Sequence, residues 1–125
     1  MKLIKTKIKG AFILLGQFKE DARGGFCKLY NEETFKLNNL DFEPKEVYYN
    51  CSNKNVIRGM HFQTPPYEHK KLIKCISGRI IDVILDIRKE SPTFLKYDII
   101  ELNENDGKSI FLPSGVAHGF LSLED

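Results

Sequence analysis

Apolar and polar residues alternate along much of this chain, and a period of two predicts strands. Leu3, Lys5 and Lys7 alternate with Ile4, Thr6 and Ile8, which predicts a strand within residues 1–9, then a break at Gly10 and a second strand over Ala11–Leu15. Asp21-Ala22-Arg23-Gly24-Gly25-Phe26 reads as a turn, since two glycines tolerate positive φ. A short strand over Phe26–Tyr30 and a short helix over Asn31–Phe35 follow. Asn31 is a suitable N-cap, and Glu32 and Glu33 suit the first turn. Residues 38–44 read as loop. Beyond them the pattern is almost wholly β, with strands predicted at Val47–Cys51, Val56–Phe62, Lys71–Ser77, Ile80–Ile87, Phe94–Leu102 and Ser109–Leu112. Thr64-Pro65-Pro66 is a rigid break, because proline donates nothing to a ladder. Ser77-Gly78 reads as a hairpin turn, and Asn103–Gly107 as a polar turn. Many short strands, Gly/Pro/Asn turns and one short helix predict an all-β jelly-roll barrel, an architecture that can enclose one small ligand.

Composition narrows the function classes. The 125 residues fit one domain, over 1–125. Basic and acidic side chains number 19 and 17 and are interspersed, with no basic arm, which argues against nucleic acid as partner. No apolar run approaches the ~20 residues of a membrane span, and Ala11–Leu15 is too short for a signal-peptide core. Cys27, Cys51 and Cys75 are odd in number and form no C-x-x-C pair, so a disulfide framework is not expected and a reducing, cytoplasmic setting is. Cys75 lies in an apolar pattern, where a buried inert thiol is the usual case.

Candidate chemistry collects in two stretches, Arg58-Gly59-Met60-His61-Phe62-Gln63 and Pro113-Ser114-Gly115-Val116-Ala117-His118-Gly119-Phe120. Two barrel strands are expected to bring His61 and His118 into one cavity. A histidine titrates near ~6.5, so it can act as a neutral base at physiological pH; it can equally be a hydrogen-bonded core residue. Asp82 and Asp86 are an even number of residues apart and so share a strand face, inward or toward solvent. Lys71 is either a site cation or a solvated charge beside Lys70. His69, in the loop after the prolines, carries no assignment. Metal binding through histidines and a carboxylate is a further possibility for such a barrel. His61 has no H-x-H partner, and Phe62 and Gln63 are poor ligands, so no metal site is assigned.

Gly107-x5-Pro113-x-Gly115-x2-His118 has the spacing of the second motif of the cupin superfamily. A closer resemblance runs from about Ile4 to the end of the chain. Asp21-Ala22-Arg23-Gly24-Gly25-Phe26, Arg58 to Gln63, Pro65-Pro66, Lys71 to Lys74, Gly78, Asp82 to Arg88, Ser91 to Phe94 and Val116 to Phe120 together resemble the dTDP-4-dehydrorhamnose 3,5-epimerase family. That resemblance implies a cupin-type jelly roll and a cofactor-free isomerase of nucleotide-diphosphate 4-keto-6-deoxy sugars, serving cell-surface polysaccharide synthesis. It implies His61 as the base and Lys71 as the stabiliser of charge on O4. It places Arg23 and Arg58 on the diphosphate, with Phe26, Lys28, Gln63, Asp82 and His118 as further substrate-binding positions. It also implies a homodimer with exchanged N-terminal strands, in which Arg23 serves the partner's site.

Two departures from the family pattern matter. Lys28 stands where the family has a glutamate facing the nucleotide base, so a donor replaces an acceptor and a nucleotide other than dTDP, such as GDP, is open. The family's general-acid tyrosine, and the aspartate that orients its catalytic histidine, match no residue here. On the resemblance, the domain is therefore expected to lack its C-terminal part. Two rival readings remain: a sugar-nucleotide-binding cupin without a full acid/base set, and a metal-dependent cupin enzyme.

Overall fold

The computed structural model describes residues 1–16 and 18–125. Its elements are β1 (Lys2–Lys5), β2 (Phe12–Leu15), β3 (Phe18–Asp21), β4 (Gly24–Cys27), α1 (Glu32–Leu37), β5 (Ile57–His61), β6 (Lys71–Ile73), β7 (Arg79–Asp86), β8 (Tyr97–Asn103), β9 (Lys108–Leu112) and β10 (Val116–Ser122). Two four-stranded antiparallel sheets form, in the orders β1-β2-β9-β6 and β5-β10-β7-β8, while β3 and β4 make a separate hairpin. The expected all-β jelly roll with one short helix is what is found. No helix among the described residues is long and apolar enough to cross a membrane.

Strand alternation builds two cores. Ile110 and Leu112 from the first sheet meet Ile84, Ile100, Leu102 and Val116 from the second, and all are buried. The opposite face of the first sheet offers Leu14 and Phe111, which pack with Phe35 of α1 and with Leu40. Helix α1 is short and depends on its cap. Asn31 has extended backbone (φ −146°), and its Oδ1 accepts from the Thr34 amide at 2.9 Å. Asn31→Ala should therefore cost about 1 kcal/mol, read as a lower urea midpoint with unchanged slope.

The end of β7 is tied by a polar knot. Asp86 is fully buried and accepts from the Arg88 amide (3.0 Å) and from Arg88 Nε (2.9 Å) and Nη2 (3.0 Å). It also accepts from the Ser91 and Thr93 hydroxyls, each at 2.6 Å. Arg88 Nη2 donates on to the Lys9 carbonyl at 2.6 Å, and the Lys9 amide donates to Thr93 Oγ1 at 3.1 Å. The knot thus clamps the β1–β2 connection to the β7–β8 connection. Burial acts to raise the Asp86 carboxyl, but the bonds from Arg88, Ser91 and Thr93 outweigh it and hold the pKa well below the carboxylate range. The solvent-facing alternative for Asp86 is therefore wrong: it points inward, as a structural group.

Other expectations need correction. Val47–Cys51 forms no strand: it has β-type residues but pairs with no neighbour, and Val47, Tyr48 and Tyr49 stand exposed. Ser77-Gly78 does turn the chain, with Gly78 at φ +74°, but not as a hairpin. It carries the chain from β6 in one sheet to β7 in the other. Strand β6 stops at Ile73 rather than Ser77, and Lys74 turns instead to pair with Asp106 at 3.3 Å. Strand β8 begins at Tyr97 rather than Phe94, because residues 91–96 fold around the Asp86 knot. The predicted turn at 21–26 is the tip of the β3–β4 hairpin, whose return strand spans Gly24–Cys27 rather than Phe26–Tyr30.

Candidate active site

Strand β5 is an edge of the second sheet and β6 an edge of the first. His61 ends β5, Lys71 begins β6, and His118 and Asp82 reach the same region from β10 and β7.

Pairing of β5 with β10 sets the geometry. His61 lies opposite His118 and Arg58 opposite Phe120, with a register irregularity between them. Two residues on β5, Gly59 and Met60, thus face one on β10, Gly119, which is a β-bulge. In a regular strand, residues three apart point to opposite faces. The bulge instead brings Arg58 and His61 onto the face shared by His118 and Phe120. The imidazole centroids of His61 and His118 are 6.4 Å apart.

The bulge depends on two glycines. Gly59 sits at φ +123°, and a Cβ there would fall 2.5 Å from Gly119 Cα and 2.9 Å from the His118 carbonyl oxygen. A Cβ on Gly119 would fall 2.7 Å from the Arg58 carbonyl oxygen. Gly59→Ala should push β5 away from β10 and displace His61. Activity is expected to fall about 100-fold, since misplacement by ~1 Å has effects of that order. A kinetic assay beside a thermal melt separates this from unfolding.

His118 is nearly buried, and its Nδ1 lies 3.2 Å from Asp82 Oδ2. Asp82 is fully buried, and its Oδ1 has no hydrogen-bond partner among the described residues. Burial raises the Asp82 carboxyl, opposed by its bond to His118 and the charges of His118 and Lys71. Lys71 is half-buried; desolvation lowers its pKa, and the Asp82 charge pulls the other way. Lys71 is thus partly shielded rather than a fully solvated charge. Lys70 is the residue of the pair that meets an exposed partner, Asp41, at 2.6 Å.

Arg58 is exposed, with Nε donating to Ser52 Oγ at 2.8 Å and Nη2 to the Cys51 carbonyl at 3.2 Å. These two bonds orient the guanidinium and leave three of its five donors for an anion. Gln63 is exposed just beyond β5. His69 is exposed too, with Nδ1 3.3 Å from the Tyr67 carbonyl. Cys75 is buried, and burial raises its thiol pKa.

Arg23, Phe26 and Lys28 lie elsewhere, on or just after the β3–β4 hairpin, which joins neither sheet. Arg23 is exposed and held by Asp21, with Nη2 2.6 Å from Oδ2. Phe26 and Lys28 border a cleft of about 320 Å³ together with Lys19, Tyr30 and Phe35. Among the described residues no cluster of three metal-ligating side chains occurs.

The family model described as dTDP-4-dehydrorhamnose 3,5-epimerase matches residues 5–125. The chain belongs to the dTDP-4-dehydrorhamnose 3,5-epimerase family. The Salmonella typhimurium dTDP-4-dehydrorhamnose 3,5-epimerase is 38% identical over 126 residues, covering 100% of this chain and 69% of that protein. The crystal structure of the Elizabethkingia anophelis dTDP-4-dehydrorhamnose 3,5-epimerase superposes with a TM-score of 0.89 at 36% identity, covering 99% of this chain and 68% of that one. A Legionella pneumophila dTDP-6-deoxy-D-glucose-3,5-epimerase, solved in complex with dTDP-4-keto-L-rhamnose, gives a TM-score of 0.85 at 30% identity, covering 98% and 65%. The chain thus spans roughly two-thirds of the length of these family members.

Within this epimerase family chain, sequence reasoning missed Ser52 as the group that orients Arg58. It also missed Gly59 and Gly119 as a matched pair. Ser52 gave no signal, being one serine in a polar loop. The glycines stood in both motifs, and only the strand pairing shows that they touch.

Proposed function

We propose that the protein epimerises nucleotide-diphosphate 4-keto-6-deoxy sugars at C3, C5 or both. The observation that carries this reading is His61 facing His118 beside the glycine bulge, ring centroids 6.4 Å apart, with half-buried Lys71 and buried Asp82 within electrostatic reach of each other. The C3 and C5 protons flank the C4 ketone, so removing either one gives an enolate. His61 takes the proton, and the electron pair moves onto the ketone oxygen. Lys71 stabilises that oxyanion, and a cation in a partly dry cleft does this better than one in water. A proton returned from the opposite face inverts the centre. Arg58 grips the diphosphate with its free guanidinium donors. Gln63 and His118 line the sugar. The complex of the Legionella relative with dTDP-4-keto-L-rhamnose supports this substrate class.

The hairpin position of Arg23, Phe26 and Lys28 supports a homodimer in which these residues serve the partner's site. Lys28 is a donor and suits a nucleotide base that presents an acceptor. The reading places the enzyme in the cytoplasm, in polysaccharide synthesis, with no cofactor.

The test is incubation with a nucleotide-linked 4-keto-6-deoxy sugar in D2O, followed by NMR at C3 and C5. Deuterium at either centre with product formation supports the epimerase. Binding without exchange at either centre overturns it in favour of a binding module, and loss of activity with chelator in favour of a metal enzyme.

A further inference from the structure

Asp82 and Asp86 lie on the same face of β7, and both are fully buried. Their surroundings differ. Asp86 has both oxygens engaged by Arg88, Ser91 and Thr93. Asp82 has one oxygen on His118 and the other unpartnered among the described residues. A half-satisfied buried carboxylate is costly, and its same-face neighbours Ile80 and Ile84 show what packing alone favours at that position. An acid kept there against that cost points to work on its one partner.

We propose that Asp82 is a positioning residue: its Oδ2 holds His118 as the Nδ1–H tautomer and leaves Nε2 of His118 as the acceptor for a ligand hydroxyl beside His61. The inference rests on the reading of this cleft as a sugar site. A neutral imidazole carries one N–H. With the Asp82 carboxylate ionised, Nδ1 at 3.2 Å bears the proton, because a bare Nδ1 would set lone pair against lone pair. The second ring nitrogen then has only an acceptor to offer. His118 and Asp82 are diagonal neighbours: His118 sits opposite Ile84, two residues along from Asp82. Gly119 keeps β10 close enough to β5 that the ring meets His61 as well. The charged groups facing Asp82 are His118 from β10 and Lys71 from β6, while β8 presents Ile100. The assignment divides the two histidines. His61 removes the proton from carbon, and His118 takes a hydrogen bond from the sugar and sets the ring's orientation. Substrates with a free hydroxyl at that position should therefore be preferred over their deoxy or O-methyl counterparts.

Long-range 1H–15N correlation spectra of uniformly 15N-labelled protein, at a pH where the histidines are neutral, report each tautomer directly. His118 is expected as Nδ1–H. In Asp82→Leu it should revert to the Nε2–H form usual in water, with the His61 and His69 signals unmoved. The same variant should lose about 10- to 100-fold in kcat/KM for C3 and C5 exchange. Finding His118 as Nε2–H in the unmodified protein overturns the proposal, with no variant needed. So does an unchanged Nδ1–H signal in a folded Asp82→Leu protein. Because the spectra need no substrate, they decide this point even if the exchange experiment fails.

Discussion

His61→Ala is expected to abolish deuterium incorporation at C3 and C5 while leaving sugar-nucleotide binding nearly intact. General-base catalysis contributes about 10²–10⁴-fold, so kcat should drop by at least that range. Kd should move little, because Arg58 and its supports on Ser52 and Cys51 are untouched. His61 is exposed at the end of an edge strand and makes no hydrogen bond to another described side chain, so its removal should not lower the melting temperature appreciably. This separates it from His118, whose loss strands a buried carboxylate and should cost stability as well as rate. Single-turnover exchange, binding calorimetry and a melt on both variants distinguish the two roles. Surviving exchange in His61→Ala would move the base to another residue, with His118 next in line.

The second large effect concerns folding. Asp86→Ala should destabilise the protein by about 3–5 kcal/mol, the range for breaking a buried ion pair by removing one partner. That is a large share of a domain's total of roughly 5–15 kcal/mol. The Arg88 guanidinium and the Ser91 and Thr93 hydroxyls all lose their acceptor. The connections anchored at Lys9 and Thr93 then loosen together. The pH dependence has a definite sign. The folded pKa of Asp86 lies below its unfolded value near 3.8, so the unfolded chain binds the proton first as pH falls. The contribution is complete above about pH 5 and is lost downward through the folded pKa. Asp82 has the opposite slope, since its folded pKa is raised and protonation relieves it. Urea midpoints between pH 3 and 7 should therefore fall toward acid in the parent, and less steeply in Asp86→Asn.

Much of this was legible in the sequence, and the gaps share a cause. Local alternation predicted the strands that bury one face, because burial leaves a period-two trace. Phe18–Asp21 left no such trace, being mostly polar and paired in a hairpin that covers no core. Val47–Cys51 showed the opposite failure. Its residues favour strand, but a strand requires a partner, and partners are not written locally. Ser77-Gly78 announced a turn without revealing that it changes sheets. For the site, the sequence expected His61 and His118 to come together, and their rings lie 6.4 Å apart on paired strands. It left open the target of Asp82, which required knowing that β7 lies beside β10. The role of Asp86 was nearer the surface: Arg88, Ser91 and Thr93 follow it within seven residues and all bond to it.

The bulge at Gly59-Met60 has a bearing on how this stretch can vary. Its extra residue is a parity correction: three steps along one strand are made to count as two. Deleting Met60, or inserting one residue beside it, changes the count from odd to even while keeping both Arg58 and His61. Arg58 and His61 would then be two or four steps apart and would share a face only in a regular ladder, with Gly59 returned to an extended φ and the bulge lost. Substitutions in this stretch can be tolerated one at a time according to their side chains. A change in its length is tolerated only where the pairing of β5 with β10 is rebuilt as a regular ladder, so the three-step interval from Arg58 to His61 and the bulge should occur together or not at all, whatever stands at Met60.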